Sequence, residues 1–316
     1  MRIERYDVEI DSNTADGQPQ GPDAYDYGKT TVSGKLGLVY KPAEHGSVYA
    51  SVGLSSLPPG SFLSNPDISR EGDNAFPGFS AGLNSPDSKV QRSLNYEVGT
   101  KWEFFEQRLN ASAALFRTVR ENVAITGIDP RIDPPPPVAR VGYGEQIVQG
   151  VELALSGEVT PAWSVFAGMV YLDSERKHSE LLDQARRLAN PNDYGSVLRT
   201  SGDELAFTPE FSGNVWTTYR LPFGLTVGGG LQYVGSSWVG RPDDAERIIP
   251  NGAFGKLPSY TVANLLVAYD VSEAVTVRLN VDNITDEVYA VSLNWPAQRA
   301  LLGPSRSFLL SADVRF

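Results

Sequence analysis

Residues 94–104 run Leu-Asn-Tyr-Glu-Val-Gly-Thr-Lys-Trp-Glu-Phe, and their two parities differ chemically. Leu94, Tyr96, Val98, Thr100, Trp102 and Phe104 fall on one, and Asn95, Glu97, Gly99, Lys101 and Glu103 on the other. In a strand, side chains alternate between faces, so this stretch meets an apolar medium on one side and a polar one on the other. The pattern recurs. Phe211, Val215, Tyr219 and Leu221 oppose Ser212, Asn214, Thr218 and Arg220. Val275, Val277, Leu279 and Val281 oppose Thr276, Arg278, Asn280 and Asp282. At the end, Phe308, Leu310, Ala312, Val314 and Phe316 oppose Ser307, Ser311, Asp313 and Arg315. Between these, Leu225, Val227, Leu231 and Tyr233 are expected to face outward, and Thr226 and Gln232 inward.

A soluble sandwich also alternates, so the connections decide. About twelve strands are predicted, over 1–10, 31–41, 46–57, 91–104, 108–122, 145–159, 161–174, 204–221, 224–239, 257–271, 274–285 and 305–316. Short turns at 41–46, 105–107, 160, 222–223 and 272–273 alternate with long polar loops at 11–30, 58–90, 122–144, 173–203, 240–256 and 286–304. Tight turns at one end and large loops at the other are the habit of an antiparallel transmembrane β-barrel of the outer membrane. Aromatics near strand ends, among them Tyr40, Trp102, Trp163, Tyr219, Tyr233 and Tyr260, suit the interfacial girdles of such a barrel.

Composition agrees. In 316 residues there are 30 glycines and 22 prolines, both above ordinary usage, and 10% aromatics. No cysteine occurs, which excludes disulfides, thiol nucleophiles and zinc knuckles. With 27 basic against 38 acidic residues the net charge is −11, which argues against nucleic acid as a partner. No apolar run reaches the ~18 residues of a membrane helix. The first seven residues, Met1 to Asp7, lack the apolar core of a secretory signal and already alternate. They read as cytoplasmic retention or as the back part of a longer protein.

Catalytic and metal-binding patterns are poor. The two histidines, His45 and His178, fall in a tight turn and a charged loop, far from a strand-borne serine and carboxylate. Asp243 with Asp244, and Asp129 with Asp133, lack the oxygen spacing of a calcium loop. Gly228, Gly229 and Gly230 precede no helix and form no phosphate loop. Pro134 to Pro137 predict a stiff polyproline spacer, and 179–189 one short amphipathic helix. The chain is therefore expected not to be an enzyme.

Several stretches resemble TonB-dependent ferric-siderophore receptors. They include residues 94–102, Gln149-Gly150-Val151-Glu152-Leu153, Thr208-Pro209-Glu210 before Trp216-Thr217-Thr218-Tyr219, and Leu257-Pro258-Ser259-Tyr260. The sharpest likenesses are residues 280–289, with Asn280, Asn283, Asp286 and Tyr289, and the ending from Gly303 through Arg306 and Phe308 to Phe316. The resemblance implies a 22-stranded barrel preceded by a plug and a TonB-contacting box. Residues 1–316 are similar to the C-terminal part of that barrel, and neither plug nor box is among them. The implied function is import of a ferric siderophore, with the likeness nearest to catecholate-type receptors, energised by the inner-membrane TonB complex through plug and box. The iron rides in the siderophore, so no metal or cofactor held by protein ligands is expected. The terminal Phe316 resembles the aromatic read by the barrel-assembly machinery, and outer-membrane lipid is the other partner.

By the same resemblance, aromatic and basic loop side chains hold the ligand, with Tyr194, Arg199, Trp238, Arg241, Phe254 and Trp295 as candidates. The loop from Asp173 to Glu204 has five basic against seven acidic residues, which does not itself favour an anion. Two alternatives stand beside this reading: a free-standing twelve-stranded barrel acting as a passive pore, and an outer-membrane hydrolase.

Overall fold

The computed structural model describes residues 1–10, 25–57, 89–126, 140–177, 204–238, 256–293 and 299–315. All regular structure among them is strand: β1 (Arg2–Ile10), β2 (Tyr25–Ala43), β3 (Gly46–Leu57), β4 (Gln91–Phe104), β5 (Leu109–Thr126), β6 (Arg140–Thr160), β7 (Trp163–Lys177) and β8 (Phe211–Arg220). There follow β9 (Leu225–Val234), β10 (Ser237–Trp238), β11 (Lys256–Leu257), β12 (Tyr260–Ser272), β13 (Val275–Asp282), β14 (Ala290–Leu293), β15 (Ala300–Leu302) and β16 (Ser307–Val314). Twelve form one antiparallel meander, β1 through β9, then β12, β13 and β16. The short pairs β10–β11 and β14–β15 are separate two-stranded sheets.

The alternation of connection lengths holds. Turns at 44–45, 105–108, 161–162, 221–224 and 273–274 all lie at one end of the meander, and every long connection lies at the other. The register carries the parity from strand to strand. Val98 stands opposite Leu115, Leu115 opposite Val151, Val151 opposite Tyr171 and Tyr171 opposite Phe211. Leu225, Val227, Leu231 and Tyr233 share that apolar face, while Thr226 and Gln232 pair into the polar one, through Arg220 and Asn214. A one-residue slip at any strand would reverse this.

The apolar face has no second layer over it. Leu36 is 74% exposed, Leu310 71% and Phe308 68%, in rows that water would not tolerate at this extent and that lipid satisfies. Trp163 pairs with Tyr219 beside the short turns. Eight residues on, Tyr171 pairs with Phe211, whose ring centroid lies 5.8 Å from that of Tyr233. Eight steps along a strand are about 27 Å, which at a tilt of 35–45° rise roughly 19–22 Å, of the order of the ~25 Å apolar band between aromatic girdles. The next outward rung is polar. Arg117 Nη1 donates to Gln149 Oε1 (2.6 Å), and Gln149 Nε2 to Asp173 Oδ2 (2.8 Å), where the chain emerges from lipid.

Several predicted boundaries move. The strand expected over 204–221 starts at Phe211. Phe207 takes a left-handed φ of 54°, and Pro209 offers no N–H to a ladder. The segment before Phe211 instead folds over the rim, with Leu205 and Ala206 buried. The strand expected over 224–239 stops at Val234, and Ser237 and Trp238 leave the wall to pair with Leu257 and Lys256. The strand expected over 274–285 stops at Asp282, because Asn283 turns with φ 50°. The loop expected over 286–304 contains the β14–β15 hairpin. Conversely, β2, β5 and β6 extend further outward than predicted. The expected polyproline segment and loop helix lie outside the described residues. Among the described residues, β1 pairs with β2 alone and β16 with β13 alone, so the sheet is an open wall and not a closed twelve-stranded barrel.

Candidate functional site

The polar face of the wall is the inner one, and its charges are arranged in tiers. Near the short turns, Arg220 Nη2 donates to Asp270 Oδ2 (3.0 Å), which also receives Thr276 Oγ1 at its other oxygen (2.8 Å). Arg278 pairs with Asp313 at 3.5 Å on the neighbouring strands. At mid-height Tyr49 Oη donates to Glu97 (2.5 Å), and Lys101 Nζ stands 5.7 Å from the Tyr49 ring centre. Tyr49 crosses over Gly99, its register partner, where a Cβ would strike the ring. Trp216 lies over Gly230 in the same way. Glycine is needed at both positions because an aromatic ring occupies the space of its side chain.

Tyr49, Glu97, Lys101 and Trp216 line an inner cavity of about 650 Å³ that also takes in Glu152, Asn214, Gln232 and Asn264. Glu97 and Glu152 face it on the inward parity, with Lys101 as the nearby cation on the same wall. The face is not uniformly polar: Phe166 and Leu309 also lie on it.

The outer rim is built from side chains chosen one by one. Asn283 is 2% exposed and ties its own turn to two other parts of the chain, at Asn264 and Pro304. Its Nδ2 donates to the carbonyls of Glu287 (2.9 Å) and Pro304 (3.0 Å). Its Oδ1 accepts Glu287 N (2.9 Å), and its own N donates to Asn264 Oδ1 (2.8 Å). Next to it, Arg306 N donates to Asp286 Oδ1 (3.0 Å), and the Arg306 guanidinium pairs with the same carboxylate at 3.5 Å. Tyr289 stacks against Tyr260 with centroids 4.4 Å apart and covers Gly303. Leu257 of β11 is buried against Ala290 and Leu293 of β14, which ties the two rim hairpins together. On the other side, Phe207 N donates to Trp238 O (2.8 Å), and Lys256 Nζ lies 4.4 Å over the Trp238 ring. The Trp238 indole N–H is enclosed and has no hydrogen-bond partner among the described residues.

A polar inner wall, a lipid-facing outer wall, and this Asn283-centred rim are the parts on which family likeness can be tested. Residues 1–284 match the model of the TonB dependent receptor-like β-barrel. The chain belongs to that family.

As a TonB-dependent receptor barrel it lies in the outer membrane. It is 31% identical over its whole length to the catecholate siderophore receptor Fiu of Escherichia coli (strain K12), and covers 39% of that relative. It is 28% identical over 90% of its length to the probable TonB-dependent siderophore receptor PiuA of Acinetobacter baumannii, covering 34%. The crystal structure of the ferric-catecholate import receptor Fiu from Escherichia coli K12, in its closed form, superposes with a TM-score of 0.71 at 27% identity. That superposition covers 99% of this chain and 41% of the other. The chain thus spans between about a third and two fifths of these relatives, and its twelve strands accord with a portion of a 22-stranded barrel.

Of the residues singled out from sequence, Asn283, Asp286, Tyr289 and Arg306 converge on one rim structure, with Asn280 one turn of the register below, opposite Leu309. Phe308 faces lipid opposite Val281. Trp238 belongs to the rim. Tyr194, Arg199, Arg241, Phe254, Trp295 and the terminal Phe316 lie outside the described residues. Sequence reasoning passed over Lys256, Asn264 and the inner trio Glu97, Lys101 and Glu152. The signal for the trio was present, since charges at mid-strand on the polar parity of a lipid-embedded strand must point into the lumen.

Proposed function

We propose that this chain forms barrel wall and outer rim of a receptor that takes up a ferric siderophore, with catecholates the first class to try. The observation that carries this reading is the two-faced wall, apolar without and tiered with charge within, joined to relatives named for catecholate siderophores. The wall would enclose a plug-type gate pulled by the inner-membrane TonB complex, and the iron would cross inside its siderophore. Barrel-assembly machinery would insert the wall, with Phe316 as a recognised terminal aromatic. At the rim, Trp238 under Lys256 offers an aromatic face and a cation to an anionic aromatic ligand. The loop residues Tyr194, Arg199, Arg241, Phe254 and Trp295 are the further contacts of this reading. A catalytic role finds no support in the relatives named above, which are receptors.

The test is a chimera in which these 316 residues replace the matching part of Escherichia coli Fiu, expressed in a strain without its own catecholate receptors. Labelled ferric-catecholate uptake should appear and should stop when the proton gradient is collapsed. A folded, heat-modifiable chimera that imports no ferric siderophore from a broad panel would defeat the proposal. Uptake of small solutes indifferent to the gradient would establish the passive pore instead.

A further inference from the structure

Charge on the inner face is not shared evenly along the wall. From Lys29 to Lys41, β2 reads Lys-Thr-Thr-Val-Ser-Gly-Lys-Leu-Gly-Leu-Val-Tyr-Lys, with a lysine at every sixth residue. Six is a multiple of the strand period, so the three lysines fall on one face. The register makes that face the inner one. Lys35 stands opposite Gly53, on the parity of Tyr49, and Lys41 lines an inner pocket with Ser47 and Lys101. Neither this stretch nor β3 contains an acidic residue. The inward residues around Lys35 are small, with Ser33, Gly37, Ser51 and Gly53 nearest, and Val39 and Tyr49 follow before Lys41.

The other inner cations have company. Arg220 pairs with Asp270, Arg278 with Asp313 and Arg2 with Glu4, while Lys101 stands beside the hydrogen bond from Tyr49 to Glu97. Lys35 and Lys41 are exposed, and neither makes an ion pair or hydrogen bond among the described residues. The rung of Lys35 continues through Gly53, Asn95 and Thr118, all uncharged, with Asn95 Nδ2 donating to Thr118 Oγ1 (2.9 Å). No neighbouring carboxylate offsets Lys35 on its own rung. Lower down, Lys41 and Lys101 share a pocket of about 330 Å³ with His45, Glu44 and Glu103, so the charge there is mixed.

This composition selects the occupant. The cores of protein–protein contacts are poor in lysine and serine and rich in aromatics, methionine and arginine. A strip of lysines, serines and glycines stays wet, which suits a dissolved anion and not a packed protein surface. Anion pores line their path with lysine or arginine, gripping firmly enough for entry and weakly enough for exit. Six strand steps are about 20 Å, and the flexible stems of Lys35 and Lys41 let both ammonium groups reach toward one guest in turn. Three catecholate dianions around a ferric ion leave a multiply anionic complex. The strip attracts it, whereas Glu97 and Glu152 on the adjoining inner wall repel it. In the mixed pocket around Lys41 the attraction fades, which favours release toward the periplasm.

We infer that Lys35 and Lys41 form a transit site on the inner wall for a ferric catecholate, used during passage and not at first capture. The inference rests on the import function proposed above.

The experiment uses the Fiu chimera and a ferric tris-catecholate labelled with radioactive iron. Lys35→Gln with Lys41→Gln should lower the initial uptake rate about tenfold. Surface binding, measured with the proton gradient collapsed, should stay at the parent value. Lys35→Arg with Lys41→Arg keeps both charges and should import at nearly the parent rate. Should the glutamine pair fail to reach the membrane as a heat-modifiable band, Lys35→Gln alone supplies the reading, with uptake lowered about threefold. Import by the parent and the glutamine variants at equal rates would overturn the inference. So would gradient-independent entry of a small dye into the glutamine variant, which would assign the lysines to holding a gate. Loss of surface binding in step with uptake would assign them to capture and overturn it as well. A parent chimera that imports no ferric siderophore defeats the receptor reading itself, and the transit site with it.

Discussion

The wall around β7 and β8 and the rim around Asn283 are held in opposite ways. In the wall, backbone ladders do the joining, and side chains need only respect parity. Ala167 opposite Val215 and Met169 opposite Gly213 differ in every respect but their face. At the rim, three chain segments meet where no ladder can join them, and Asn283 supplies the missing donors and acceptor. The difference teaches where substitution is cheap. A wall residue can change identity within its class of solvent, whereas a rim residue has partners that no other side chain satisfies.

The comparison breaks first where a wall residue is moved to the wrong solvent. Leu231→Lys places a charge on the lipid face, and should cost roughly 2–4 kcal/mol, while Gln232→Lys on the adjacent inner position should cost close to nothing. The midpoint of heat-induced gel mobility change measures both. Equal effects would mean that the two faces are not what the register makes them.

Asn283→Leu comes next. It retains bulk but leaves the Glu287 N–H and the Glu287 and Pro304 carbonyls without partners, and it forces a branched side chain into a left-handed backbone. Loss of roughly 2–3 kcal/mol is expected, with hydrogen exchange rising first over 284–306 and not in β7. Exchange rising equally in β7 would show that wall and rim unfold as one unit.

Tyr49→Phe sharpens the picture inside the wall. It removes the hydrogen bond to Glu97 and keeps the ring over Gly99, so about 1 kcal/mol is expected, read from the same thermal midpoint. Gly99→Val, which denies the ring its place, should cost more than Tyr49→Phe. Smallest is Arg306→Ala. Its ion pair with Asp286 joins side chains that are 43% and 49% exposed, so screening leaves under ~1 kcal/mol, and the backbone donation from residue 306 survives the change. A midpoint shift as large as that of Asn283→Leu would place the clamp at the arginine instead.

The alternation in residues 94–104 and its repeats determined the strands, their two solvents and the end at which each loop lies, because a period of two and a turn length are local quantities. The likeness of residues 280–289 marked Asn283, Asp286 and Tyr289 as important without saying why. That only the folded chain decides, since their partners, Asn264, Pro304, Arg306 and Tyr260, lie elsewhere in the sequence. The same holds for the ends of β8, β9 and β13. The chain leaves the wall there because Leu257 packs against Ala290 and Leu293 at the rim and Trp238 pairs with Lys256, gains that no strand propensity contains. On the apolar face, Ala111, Ala167 and Gly213 are unremarkable in their own strands, and only the register of the ladders gathers them around one apolar depression of about 600 Å³.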